Sequence, residues 1–169
     1  MPCRFGSSTA LRQKGSALPG RSGPWRCGPG TGKEAVLVGA NLERVREAYF
    51  GLGRGELSAL FDLLSEEVEW VVHLPAEAGP GGAYRGRAGV AEWARRAAEA
   101  AEVEAFGPEE FIVTGERVLV LGRERLRVRP TGRRGEFGWV HVLTFAGGQV
   151  VRAELFGDSY GRVRLWSPA

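Results

Sequence analysis

The sequence predicts an α+β domain, and three observations carry that prediction. Between Leu42 and Ala101 apolar residues recur mostly at helical spacing. From Val103 onward only strands fit, in long alternating segments. Thr114-Gly115-Glu116, Pro130-Thr131-Gly132 and Gly147-Gly148 separate those segments and have the chemistry of tight turns. Helices followed by such a meander pack on one face of a curved antiparallel sheet.

Asn41 has the side chain of an N-cap, and Leu42, Val45, Ala48, Tyr49 and Leu52 follow at helical spacing. Gly51-Leu-Gly-Arg-Gly55 ends that helix, and a shorter one places Leu57, Leu60, Phe61 and Leu64 on one face. Glu66 to His73, EEVEWVVH, alternates as a strand with Val68, Trp70 and Val72 on one side. LPAEAGPGGAYRG reads as a long glycine-rich loop. A third helix runs from about Arg87 to Ala101, with Val90, Trp93, Ala94 and Ala97 aligned. Phe111–Val113, Val118–Val128, Phe137–Phe145 and Val150–Asp158 then read as strands, and Gly161–Ala169 as a short C-terminal tail. The predicted domain is 41–160.

Residues 1–40 differ in kind. They are rich in Gly, Pro, Ser and Arg, lack apolar periodicity, and read as a disordered tail. The chain's net charge is +3, but residues 1–40 alone carry +5 and the rest −2. The body therefore has no charge excess suited to a phosphate backbone, and nucleic acid is not an expected partner. Met1 is the only methionine, while Val36 and Val38 lie just before the first patterned segment. Initiation at a valine codon is the expectation, tested by N-terminal mass analysis of the native protein and contradicted if residues 2–30 are intact.

The tail contains Cys27-Gly-Pro-Gly-Thr-Gly-Lys-Glu34, a look-alike of a phosphate-binding loop. The first glycine of that motif is replaced by Cys27, and Glu34 stands where a hydroxyl would hold Mg²⁺. Arg21-Ser-Gly-Pro-Trp-Arg26 cannot supply the strand that feeds such a loop. Nucleotide binding is not expected. Cys3 and Cys27 are the only cysteines, which excludes a disulfide framework or a cysteine metal site in the body. No apolar run is long enough to span a membrane, and the tail lacks the apolar stretch of a secretory signal. A cytoplasmic location is the expectation.

The segments NLERVREAYFGLGRGELSALFDLLSEEVEW, AYRGRAGVAEW, WVHVLTF and GGQVVRAELFGDS resemble the SnoaL-like polyketide cyclase family of the nuclear-transport-factor-2-like superfamily. The resemblance spans Asn41 to about Ser159. It implies a cone, in which a curved antiparallel sheet wraps around helices and leaves one open cavity, the cystatin-like α+β barrel. It also implies frequent dimerisation through the sheet. Members include cyclases, isomerases, hydrolases, dehydratases and proteins with no chemistry, so the residues must decide among them.

With Gly147-Gly148 as a two-residue hairpin loop, regular pairing sets Phe137 opposite Asp158, Trp139 opposite Phe156 and His141 opposite Glu154. One face then carries Phe137, Trp139, His141, Leu143, Val150, Arg152, Glu154, Phe156 and Asp158. This mixture of aromatic and titratable groups suits a ligand cavity. The other face carries Val140, Val142, Thr144, Val151, Ala153 and Leu155, and packing against a second copy is expected there. A one-residue bulge would exchange part of these faces.

His141 beside Glu154 is the candidate acid/base pair, because a neighbouring carboxylate orients an imidazole and favours its cation. Asp158 matches the aspartate that ends this strand in SnoaL-like cyclases, where the resemblance implies an acid/base role. Each also has a plain structural use: His141 in a buried polar network, and Asp158 as a cap or an arginine's partner. Trp70, Tyr84, Phe137, Trp139, Arg152 and Phe156 are the candidate substrate-binding residues, with Arg152 also suited to pairing with Glu154 or Asp158. His73 and His141 are the only histidines, too few ligands for an expected metal site.

Asp62 and Asp158 are the only aspartates, so the Asp-Arg-Asp set of limonene epoxide hydrolases cannot be assembled. Tyr49, Tyr84 and Tyr160 offer no clear donor for a set like that of ketosteroid isomerase. Two functions remain: a cofactor-independent isomerase, cyclase or hydrolase acting on a small apolar or carbonyl-containing molecule, and a non-catalytic dimeric binding or interaction module.

Overall fold

The computed structural model describes residues 32–167; residues 1–31 of the expected tail, with both cysteines, lie outside it, and residues 32–40 of that tail, with Val36 and Val38, are helical. Helix α1 spans Gly32–Gly53, so Asn41 lies within the helix instead of capping it. Asparagine inside a helix costs under about 0.7 kcal/mol, too little to start a new element once the chain upstream is helical. The buried stripe of α1 is Val45, Ala48 and Tyr49, as the spacing predicts. Gly55, with φ of 80°, turns the chain out of the helix.

Helix α2, Ser58–Leu63, gives way at once to strand β1, Leu64–His73, so Leu64 opens a strand instead of closing a helix. Val68, Trp70 and Val72 are buried, as the alternation predicts. The expected loop after β1 holds a 3-10 turn, Ala76–Ala78, and a short strand β2, Gly82–Arg85, which pairs antiparallel with β1 by placing Tyr84 opposite Trp70. Helix α3, Gly86–Ala100, leads into β3 (Ala101–Thr114), β4 (Arg117–Val128), β5 (Arg134–Ala146) and β6 (Gln149–Gly157). The expected C-terminal tail is instead helix α4, Ser159–Trp166. Among the described residues no helix is long and apolar enough to cross a membrane.

The six strands form one curved, unclosed sheet in the order β2-β1-β6-β5-β4-β3. All neighbours are antiparallel except β1 and β6, which run parallel. The main core gathers Val45 and Tyr49 of α1, Leu60 and Leu63 of α2, Val90 of α3 and the inward residues of β1, β4, β5 and β6. A smaller core of Ala101, Leu126 and Phe137 is covered by Leu165 and Trp166 of α4.

One irregularity determines what faces the interior. From Gly147-Gly148 the pairing begins as expected, with Ala146 opposite Gln149 and Phe145 opposite Val150. Thr144 then pairs with Arg152, which leaves Val151 as an extra residue in β6. Beyond this bulge Trp139 faces Gly157, Val140 faces Phe156, His141 faces Leu155 and Val142 faces Glu154. The expected pairs Phe137–Asp158, Trp139–Phe156 and His141–Glu154 are therefore corrected. Ala153 and Leu155 turn inward and are buried, while Arg152, Glu154 and Phe156 turn to the outer face. The period of two makes a single inserted residue invert every later side chain.

Candidate functional site

Helices and sheet enclose a cavity of about 500 Å³. Tyr49, Trp70, Trp93, Phe106, Trp139 and Leu155 supply aromatic and aliphatic wall, and small side chains of α3, Ala94, Ala97 and Ala98, leave it space. Leu57 and Val103 line it while 46% and 57% exposed, which marks where it meets solvent. Its size and apolar lining are those of a small-molecule site.

The wall is built around Trp139. Its indole stacks on Phe106 at 4.7 Å between centroids and on the imidazole of His141 at 4.4 Å. Its partner across the strand is Gly122, where a Cβ would lie 2.3 Å from the indole and 2.3 Å from the Gly107 carbonyl oxygen. Glycine at 122 is what admits a tryptophan at 139. Trp70 packs on Trp93 at 5.2 Å, and Trp93 donates its Nε1–H to the Pro80 carbonyl. The Nε1 atoms of Trp70 and Trp139 are buried without a partner among the described residues.

Two polar pairs face this apolar enclosure. In the first, Tyr49 Oη and His141 Nδ1 are 2.9 Å apart. Burial pushes the imidazole pKa from 6.5 down to about 3 and the phenol pKa up. Both groups are therefore neutral near pH 7. Among the described residues His141 has no carboxylate neighbour, contrary to the pairing expected with Glu154. In the second pair, Arg162 of α4 meets Glu124 of β4, each side chain 12% exposed. Arg162 also lies over Phe137 at 5.4 Å and Trp166 at 5.8 Å. Desolvation lowers its pKa to about 10, which leaves it charged, and its Nε is buried without a partner.

Of the residues singled out in the sequence, His141, Trp70 and Trp139 line the cavity, while Phe156 borders it with its ring on the outer face, 41% exposed and stacked on His73 at 4.2 Å. Phe137 is buried in the smaller core beneath Arg162. Tyr84 packs against the main core from β2 and donates to the Gly81 carbonyl. Arg152 and Glu154 belong to an outer cluster, in which Arg152 pairs with Glu69 and, at 3.2 Å, with Glu154, while His73 Nε2 lies 3.3 Å from Glu154. Arg152 holds the Glu154 carboxyl below its ordinary range. Asp158 is exposed and caps α4, accepting from Gly161 N–H at 2.8 Å.

Tyr49, Glu124 and Arg162 were not singled out as site residues. Glu124 did leave a signal, since it interrupts the alternation Val118, Val120, Leu126, Val128 of buried positions. Among the described residues no group of three or more His, Cys, Asp or Glu is placed to hold a metal ion.

A SnoaL-like domain family matches residues 45–153. A nuclear-transport-factor-2-like protein of unknown function from Burkholderia pseudomallei is 31% identical, with 76% of this chain and 98% of that one covered and a TM-score of 0.68. A nuclear-transport-factor-2-like protein from Burkholderia xenovorans is 30% identical over 75% of this chain and 95% of its own, with a TM-score of 0.64. TerC, co-crystallised with polyporic acid, is 26% identical over 75% and 97%, with a TM-score of 0.65. No curated protein matches the chain. Fold, family match and relatives agree, and the chain belongs to the SnoaL-like family of the nuclear-transport-factor-2-like superfamily.

Proposed function

We propose that the cavity binds a small, largely apolar molecule bearing a carbonyl group, and that Tyr49 and His141 polarise that group. The observation that carries this is a neutral, hydrogen-bonded Tyr49–His141 pair in the wall of an apolar cavity. The phenol has no other hydrogen-bond partner among the described residues, so its O–H donates to Nδ1. The imidazole proton then sits on Nε2, free to donate to a ligand oxygen. A neutral imidazole of low pKa is a poor base but a useful electrophile, since its N–H stabilises negative charge developing on a carbonyl oxygen. Such polarisation serves a cofactor-independent isomerisation, cyclisation or hydrolysis. TerC, a relative co-crystallised with polyporic acid, is consistent with a cavity used for small organic molecules.

The test is the infrared carbonyl stretch of bound 4-acetylbiphenyl. Polarisation by His141 lowers that frequency relative to the ligand in apolar solvent, and His141→Phe restores it. Binding with an unshifted stretch would leave a ligand cavity without the proposed electrophile.

A non-catalytic dimeric module is the second function, favoured by the outer face of the sheet. Leu119 and Leu121 of β4 pair with Val142 and Val140 of β5, and Ile112 of β3, 40% exposed, extends the patch. A second copy covering this patch would bury it. The bulge changes the expected surface, because Arg152, Glu154 and Phe156 replace Ala153 and Leu155 on that face. Sedimentation of the wild type and of Leu121→Glu tests it: a dimer is expected for the first and a monomer for the second.

A further inference from the structure

The Arg162–Glu124 pair joins α4 to β4 in the wall of the cavity. Its arginine uses only Nη2 on Glu124, leaving Nη1 without a partner among the described residues, and both residues line the cavity that also holds His141. We propose that this pair is a second polar pole of the cavity, and that the ligand is an elongated, uncharged molecule with a hydrogen-bond acceptor at each end. The inference rests on the cavity reading of the preceding subsection and adds the class of molecule.

The sheet register sets the spacing. Glu124 lies opposite Phe137, and His141 lies four residues further along β5 on the same inward face. At a strand rise of about 3.3 Å per residue, the two poles are about 13 Å apart along the backbone. Trp139 lies between them, and Phe106, Trp70, Trp93 and Leu155 complete the apolar stretch. A ligand that fills this stretch reaches one pole at each end.

Charge sets what each end can be. At one end the neutral His141 Nε2–H offers a donor. At the other, Arg162 is neutralised by Glu124 through Nη2, so the pole keeps the Nη1 hydrogens, without a partner among the described residues, and no net charge. A carboxylate placed there would meet Glu124 as well as Arg162, with like-charge repulsion in a desolvated site. A carbonyl or ether oxygen accepts from the guanidinium without that cost. Helix α4, which carries Arg162, therefore contributes a specificity-determining residue as well as covering the smaller core.

Three rigid rods test this, each followed by quenching of tryptophan fluorescence: 4-acetylbiphenyl with one acceptor end, 4,4′-diacetylbiphenyl with two, and 4′-acetylbiphenyl-4-carboxylate with an anionic end. The two-ended rod is expected to bind about tenfold tighter than the one-ended rod, the effect of one charge-assisted hydrogen bond out of water. In the double variant Glu124→Gln/Arg162→Met that preference, read as the ratio of the two affinities in the same protein, should vanish. Replacing both partners avoids stranding a buried carboxylate, and Arg162→Lys with Glu124 intact gives a second, milder variant in which the preference falls. Equal binding of the two neutral rods to the wild type, or a preference that survives the double variant, overturns the second pole. Tightest binding of the carboxylate overturns the uncharged ligand class. Failure of all three rods to bind overturns the cavity reading itself, and the second pole with it.

Discussion

The hydroxyl of Tyr49 lies 2.9 Å from Nδ1 of His141, a contact between residues 92 apart in the chain that joins α1 to the middle of β5. It holds the imidazole at a defined angle in an apolar wall and gives Nδ1 its partner. Tyr49→Phe removes the hydroxyl and leaves a buried nitrogen unsatisfied, at a cost of about 1–3 kcal/mol. Urea unfolding of the variant measures that loss, and the ring should also lose its fixed tautomer.

Burial of His141 couples stability to pH. Its folded pKa is about 3 against 6.5 for the free side chain, so the unfolded chain binds the proton first as pH falls. Stability is fully present above about pH 6.5 and is lost as pH falls toward 3. Once the unfolded histidine is protonated the slope approaches about 1.4 kcal/mol per pH unit, that of one proton. Unfolding measured between pH 6.5 and 5 should show a slope approaching this in the wild type and a clearly smaller one in His141→Gln.

Asp158 gives a cleaner test than its position in the family motif suggests. As the cap of α4 it should tolerate asparagine, whose side-chain oxygen accepts the same N–H, but not alanine, which costs about 1 kcal/mol. Thermal unfolding separates the two substitutions. A stable Asp158→Asn protein that binds the biphenyl probes normally yet loses turnover would instead give Asp158 a chemical role.

Gly122→Ala should damage the cavity wall at Trp139. The added carbon collides with both a backbone oxygen and the Trp139 indole, so the wall must shift to admit it. A loss of about 2 kcal/mol or more is expected, with weaker probe binding because Trp139 is displaced. Urea unfolding and the same fluorescence titration read both effects.

The helical stripe Val45, Ala48, Tyr49 and the alternation of Val68, Trp70 and Val72 were legible because burial follows spacing. The site was half legible for a specific reason. Val151 is a plain valine, and nothing in its chemistry announces a bulge, yet it moves Glu154 and Arg152 from the cavity to the outer face. Helix α4 was missed because Ser159–Trp166 is short and glycine-bearing; Asp158, a good cap, was its one signal. Without α4 the importance of Arg162 could not be seen. Glu124, by contrast, was visible as a charge at an inward position of β4.

The most direct measurement is ¹⁵N-histidine NMR of His141 between pH 5 and 8, with and without 4-acetylbiphenyl. A neutral ring protonated on Nε2 throughout that range, with Nε2 shifting when the ligand is added, is the predicted result. An imidazole that titrates near 6.5, or one whose resonances ignore a ligand shown by fluorescence to be bound, would contradict the account.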